Sequence, residues 1–243
     1  IINEIVNRMI ISRITGGLGN QLFIYAASKR LALKNNFDLV LDNVSGFAYD
    51  KDFNRQYKLD NFNIPSRKAT SQERLEPFSR IRRYAMRNWN RKLLFNKRKF
   101  IIEEGKDFQS KFLKLKLSSK VYLEGYFQSE NYFKDYSSQI KNDLLIHPPS
   151  DNQNKNMYTN IKEKISVAIH IRFIDYVLIK SDKKNQNSIS ESLDYYKKAI
   201  LQMNKYVSNA HFFIFSDQPH RVKNYLPLAQ NQMTIVSHNK SPS

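Results

Sequence analysis

His170, Arg172 and Asp175 fall within six positions in "HIRFIDY", at the end of the apolar run "ISVAIH". A guanidinium in such a place can grip a diphosphate through two parallel N–H donors. In extended backbone alternate side chains share a face, so His170 and Arg172 point the same way, with Asp175 on the loop just beyond. The competing reading is an ordinary strand-end Arg–Asp ion pair beside a solvated histidine. A second apolar run, "HFFIFSDQ", ends on Ser216 and Asp217. Open α/β sheets take their ligands at the carboxyl ends of the strands, so both sets are candidates for one edge. Asp217 there also suits the capping of a following helix.

A third set is "GGLGNQ", with Gly16, Gly17, Gly19, Asn20 and Gln21, between a β-branched run and a helix-like stretch. Glycines after a first strand let backbone approach a ligand, and the helix start offers free N–H groups and partial positive charge for phosphate. The dinucleotide fingerprint requires a further glycine where Leu22 stands and an acid after the second strand, which Asp42 could supply. A Walker loop is excluded by the missing Lys-Ser/Thr pair. A plain tight turn remains the alternative.

These residues need elements to hold them. Residues 10–15 read as a strand, 20–35 as a helix capped by Asn20, and "FDLVLD" at 37–42 as the next strand. The middle is less regular. "HPPSDNQNKN" is polar and proline-containing, and it sets a linker over 148–157. The α/β rhythm then restarts with strand "ISVAIHIR", helix "SLDYYKKAILQMNKYV", strand "HFFIFS", a short helix near "HRVKNYL" and strand "MTIVS". The expected architecture is α/β, two Rossmann-like domains facing a cleft: an N-terminal domain over 1–147 carrying the glycine loop, and a C-terminal domain over 158–243. Met9 is the expected natural start, with 1–8 upstream of it.

Composition narrows the partners. Lysine and arginine number 40 against 22 acids, a net +18, which favours anions: nucleic acid, acidic lipid or a phosphorylated small molecule. There is no cysteine, so disulfides and thiolate metal sites are excluded, in keeping with a reducing cytoplasm. No apolar run approaches the roughly 20 residues that span a bilayer, and the first residues are not a signal peptide.

Five segments in order resemble the bacterial α-1,2-fucosyltransferases of glycosyltransferase family 11: "GGLGNQLFIYA" at 16–26, "YLEGYFQSENYF" at 122–133, "HIRFIDY" at 170–176, "YYKKAI" at 195–200 and "FSDQ" at 215–218. The resemblance implies a GT-B-like fold and transfer of L-fucose from GDP-fucose to the 2-hydroxyl of a galactose-type sugar in a surface glycan or lipid-linked oligosaccharide. It implies inversion, no cofactor and no metal, so charge for the departing diphosphate must come from side chains and helix ends. By similarity His170 and Arg172 bind the donor, with Ser216 and Asp217 at the same edge. Arg172 holds the β-phosphate, and Asp175 is the candidate base for the acceptor hydroxyl. The loop of Gly16, Gly17, Gly19, Asn20 and Gln21 faces the cleft from the probable acceptor side.

Four residues and one missing segment set this chain apart. Phe173 and Ile174 stand where the family has arginine and glycine, and Gln218 and Arg221 stand where an acid and a nearby tryptophan are common. The family's C-terminal "NSSFSWW" segment is absent, so the second domain is expected to be incomplete and the chain alone to have little or no transferase activity.

Between Ser79 and Ile102 lie nine Lys/Arg and no acid, with Ile81, Tyr84, Ala85, Trp89 and Leu93 at near-helical spacing. Residues 80–99 therefore read either as a basic amphipathic helix on an anionic membrane, at the inner face, or as a helix packing its apolar stripe on the N-terminal domain. A nucleic-acid-binding module and a nicotinamide-dependent oxidoreductase are the rival classes. No nucleic-acid-binding signature supports the former.

Overall fold

The computed structural model describes residues 8–51, 53–105, 107–172, 186–222 and 225–239. The chain divides at His147–Pro148 into two compact units.

The N-terminal unit is built on five strands: β1 Met9–Arg13, β2 Asp38–Asp42, β3 Arg67–Lys68, β4 Phe100–Ile102 and β5 Val121–Glu124. Their order is β3-β2-β1-β5-β4, and every pairing is parallel. Parallel sheets are covered on both faces, so their strands read as unbroken apolar runs such as "MII", "LVL" and "VYL". Alternation then sends Ile10, Leu39, Leu41, Val121 and Leu123 to one core and Ile11, Val40 and Tyr122 to the other. The first core is closed by helix α1, Leu18–Asn35, through Ile24 and Leu31. The second contains Phe100 and is packed by Met86 from helix α2, Ser79–Arg91. A short helix, α3, Ser137–Asp143, ends the unit. β3 and β4, too short and interrupted to show a pattern, are strands that sequence reading missed.

Gly46 is fixed by packing. A Cβ there would lie 1.9 Å from the Ile14 carbonyl oxygen, so no larger residue fits where the β2 loop crosses the end of β1.

The C-terminal unit carries α4 Asn152–Lys162, β6 Ser166–Ile171, α5 Gln186–Tyr206, β7 His211–Ser216, α6 Pro219–Val222 and β8 Met233–Val236. Its sheet is parallel, in the order β6-β7-β8. Tyr196, Ile200 and Met203 of α5 pack on Ile169, Ile171, Phe212 and Ile214. The expected linker over 148–157 needs correction, because residues 152–157 are the first half of α4. Asp151 starts that helix by accepting the Asn154 N–H at 2.8 Å. No residue of α4 is buried, which is why its polar sequence shows no helical stripe.

Beside β3, Arg67 grips Glu73 through two bonds, of 2.6 and 2.8 Å. This hydrogen bonding, with the Thr70 N–H, holds the Glu73 carboxyl down at about 2. A carboxyl depressed in the folded state contributes stability above its unfolded value near 4.3, lost as pH falls toward 2. Asp135, lowered by its bond from Arg30, acts with the same sign. Denaturant midpoints should therefore fall between pH 5.5 and pH 3, and the fall should be smaller in Glu73→Gln.

Candidate active site

In the N-terminal sheet β1 is flanked by β2 on one side and β5 on the other, so the strand order reverses between β1 and β5. Ligands of open α/β sheets sit outside the carboxyl ends of the strands at such a point. Here those ends carry the glycine loop, which follows β1, and "EGYFQ", which follows β5. They meet twice: Arg13 Nη1 pairs with Glu124 Oε1 at 2.6 Å, and Gln128 Nε2 donates to Asn20 Oδ1 at 2.7 Å. The second contact joins residues 108 apart in the chain. The "YLEGYFQSENYF" segment thus shapes the glycine loop, a role its sequence did not reveal.

Gly16 has φ +78, and a Cβ there would lie 2.6 Å from Asn20 Nδ2, so the turn needs glycine for its backbone. At Gly17 and Gly19 a Cβ would meet nothing within 4 Å. The protein's own packing does not require glycine at either, and both leave open backbone at a helix start. The helix begins at Leu18, with Gly17 as N-cap in place of the expected Asn20, and the Gln21 N–H bonds to the Gly17 carbonyl at 3.1 Å. The first turn has no acid and no side-chain cap, which leaves its positive end uncompensated.

Two sequence expectations fail here for the same reason, burial. Gln21 is 1% exposed. Its amide donates to the Gly16 and Gln56 carbonyls and accepts from the Lys58 N–H, each at 2.9 Å, so it staples the loop and does not face a ligand. Asp42, the residue a dinucleotide ribose would need, is 0% exposed. Its carboxylate accepts from the Val44 and Ser45 N–H groups, the Ser45 hydroxyl and the Tyr122 hydroxyl at 2.5–3.1 Å. Burial and Asp42 together push the Tyr122 hydroxyl pKa upward. Nothing of Asp42 is left for a nicotinamide cofactor.

In the C-terminal unit Ile171 and Ser216 are in register on β6 and β7, so "HIR" and "FSD" end on the same sheet edge as expected. His170 and Arg172 are exposed on either side of buried Ile171. Ser216 Oγ lies 3.4 Å from Asp217 Oδ1 and accepts the Gln218 N–H at 3.1 Å. The hydroxyl of Ser216 therefore ties the strand end to the turn into α6. Two of the departing residues are partners, since Arg221 Nη1 donates to Gln218 Oε1 at 2.9 Å. Asp175, Phe173 and Ile174 lie outside the described residues.

Sequence reading also missed Tyr196. From α5 its hydroxyl donates to the His170 carbonyl at 2.8 Å, which pins the strand end between the two exposed side chains. It thus positions the end of β6. If His170 and Arg172 hold a donor, Tyr196→Phe should raise its KM severalfold while the melting temperature changes little, as a steady-state titration beside a thermal melt would show.

The basic stretch is not one helix. α2 ends at Arg91, where Asn90 Oδ1 accepts the Lys99 and Phe100 N–H groups at 2.6 and 3.0 Å and ties the helix to β4. Nor does it pack its apolar stripe. Arg83 and Asn90 are the buried residues, whereas Ile81, Tyr84 and Trp89 are 67–71% exposed. The expectation of no metal site passed over one Asp-x-Asp triplet, Asp50-Lys51-Asp52. The Asp50 carboxylate accepts the Phe53 and Arg55 N–H groups at 3.2 and 3.3 Å, and Asp52 lies outside the described residues.

Comparison with known proteins places the chain among the glycosyltransferases. Residues 9–243 match glycosyltransferase family 11, and the chain belongs to that family. It is 28% identical over 218 residues to an α-1,2-colitosyltransferase of Escherichia coli, covering 89% of this chain and 71% of that protein. To the O-antigen biosynthesis glycosyltransferase WbnK of E. coli it is 28% identical over 230 residues, covering 85% and 72%. Among solved structures, the fucosyltransferase NodZ from Bradyrhizobium aligns with a TM-score of 0.47 at 13% identity, over 95% of this chain and 78% of NodZ.

Proposed function

We propose that this glycosyltransferase moves L-fucose from GDP-fucose to the 2-hydroxyl of a galactose-type acceptor, with inversion and without a metal. The observation that carries the reading is the family match over residues 9–243, which includes the exposed His170 and Arg172 at the end of β6. In this reading Arg172 forks onto the β-phosphate, with His170, Ser216 and Asp217 beside it. Asp175 takes the proton of the acceptor hydroxyl, whose oxygen attacks the anomeric carbon opposite the leaving group. The C–O bond to GDP breaks as the new one forms, and GDP carries the electron pair against the Arg172 charge. The uncompensated start of α1 and the open backbone of Gly17 and Gly19 suit the acceptor side.

A second donor sugar is favoured by one finding, the colitosyltransferase relative. The acceptor belongs to a surface glycan, free or lipid-linked, and the reaction belongs to the cytoplasmic face. Among the described residues no helix is long and apolar enough to cross a membrane. The exposed apolar side chains of α2 support peripheral attachment through residues 80–99. Co-sedimentation with anionic vesicles at low salt is expected, and its absence counts against that attachment.

Acceptor-dependent GDP release in the presence of EDTA, with proton NMR of the product, tests the transfer. An α-linked fucose on O2 is expected from the β-linked donor. A β-linked product, activity only after metal addition, or transfer from GDP-colitose alone would each overturn a named part of the proposal.

A further inference from the structure

A cavity of about 340 Å³ lies against α2 in the N-terminal unit, within the size range of small-molecule sites. Arg80, Arg83 and Arg87 line it, spaced three and four residues apart and so on one helix face. Arg83 is 8% exposed, and its Nη1 is a buried donor with no acceptor in the protein. A buried charged donor left unmatched is costly, so native sites normally supply a partner. The rest of the lining is largely apolar, with Ile81 and Tyr84 from the same helix and Phe100 from β4. The single acid on the lining, Glu124, already has Oε1 held by Arg13 at 2.6 Å. Three guanidinium groups around an apolar wall match an anion with an apolar attachment. Phosphate is an anion whose several oxygens can occupy more than one arginine.

We propose that this cavity binds a phosphate ester with an apolar alcohol, the phosphate on Arg80, Arg83 and Arg87 and the apolar part on Ile81 and Tyr84. The site lies on a different unit from His170 and Arg172, and the inference does not rest on the transferase reading. The phosphate ester could be a free small molecule or a lipid headgroup, and both share this chemistry.

Geranyl phosphate, inorganic phosphate and vesicles carrying phosphatidic acid in neutral lipid are the probes, read by calorimetry and co-sedimentation. One equivalent of geranyl phosphate should bind the wild-type chain about tenfold or more tightly than inorganic phosphate. Arg80→Ala and Arg87→Ala, at exposed positions, should each weaken that binding about tenfold with unchanged circular dichroism. Arg83→Gln should abolish it, whereas Arg172→Ala should leave it unchanged. Vesicle binding lost in the same two exposed-arginine variants assigns a lipid headgroup; geranyl phosphate binding without vesicle binding assigns a free ester. No binding of geranyl phosphate, equal affinity for inorganic phosphate, or binding that falls with Arg172→Ala and survives Arg80→Ala and Arg87→Ala overturns the proposal.

Discussion

In any form of the protein that transfers fucose, Arg172→Ala should lower kcat/KM for GDP-fucose by about 100-fold or more while the fold persists. Arg172 follows buried Ile171 and is itself exposed, so its removal takes away little packing. In the proposed mechanism it removes a charge opposite the departing diphosphate, and preorganised donors of that kind are worth about 100- to 1,000-fold in rate. Arg172→Lys should recover only part of the loss, because an ammonium keeps the charge without the two-pronged geometry. Unchanged kinetics in Arg172→Ala would remove this residue from the mechanism.

The largest effect on stability is expected at Asp42. Asp42→Ala leaves the Ser45 hydroxyl, the Tyr122 hydroxyl and two backbone N–H groups without this acceptor, all but the Val44 N–H in buried surroundings at the end of β2. Orphaning several buried donors at once should cost about 3–5 kcal/mol, a fall of about 10 °C in melting temperature. Asp42→Asn, which keeps one acceptor oxygen, should fall between the two. A melting temperature within a degree or two of wild type would show that the network is not the anchor described here.

Most of the regular elements are legible in the sequence. Continuous apolar runs make β1, β2, β6, β7 and β8 stand out, and α1 and α5 show helical patterning between them. The elements that escaped have physical reasons for doing so. β3 and β4 are two and three residues long and owe their existence to neighbours. α4 buries nothing, so no periodicity marks it. α2 shows an amphipathic pattern, but the face it packs carries Arg83, Met86 and Asn90 and not the apolar stripe. Asn90 is tied to Lys99 and Phe100 at β4, a contact that local sequence cannot display.

The site divides in the same way. Residue type and strand-end position nominate His170, Arg172, Ser216 and Asp217, and the structure brings the ends of β6 and β7 into register at one sheet edge. The assignments that went astray depended on where a side chain's hydrogen bonds go. Gln21 and Asp42 look like ligand-facing polar residues until their bonds are traced, and both are then fully occupied. Asn20 lost its capping role because Gly17 takes the extended backbone conformation three residues before the expected helix start. Tyr196 and Gln128 gain meaning only from partners 26 and 108 residues away.

The most direct test of the central claim is a calorimetric titration of GDP-fucose into the wild-type chain with EDTA present. The account predicts saturable binding at one site per chain, competed by GDP and lost in Arg172→Ala. Absence of binding, or binding that Arg172→Ala leaves intact, would contradict it.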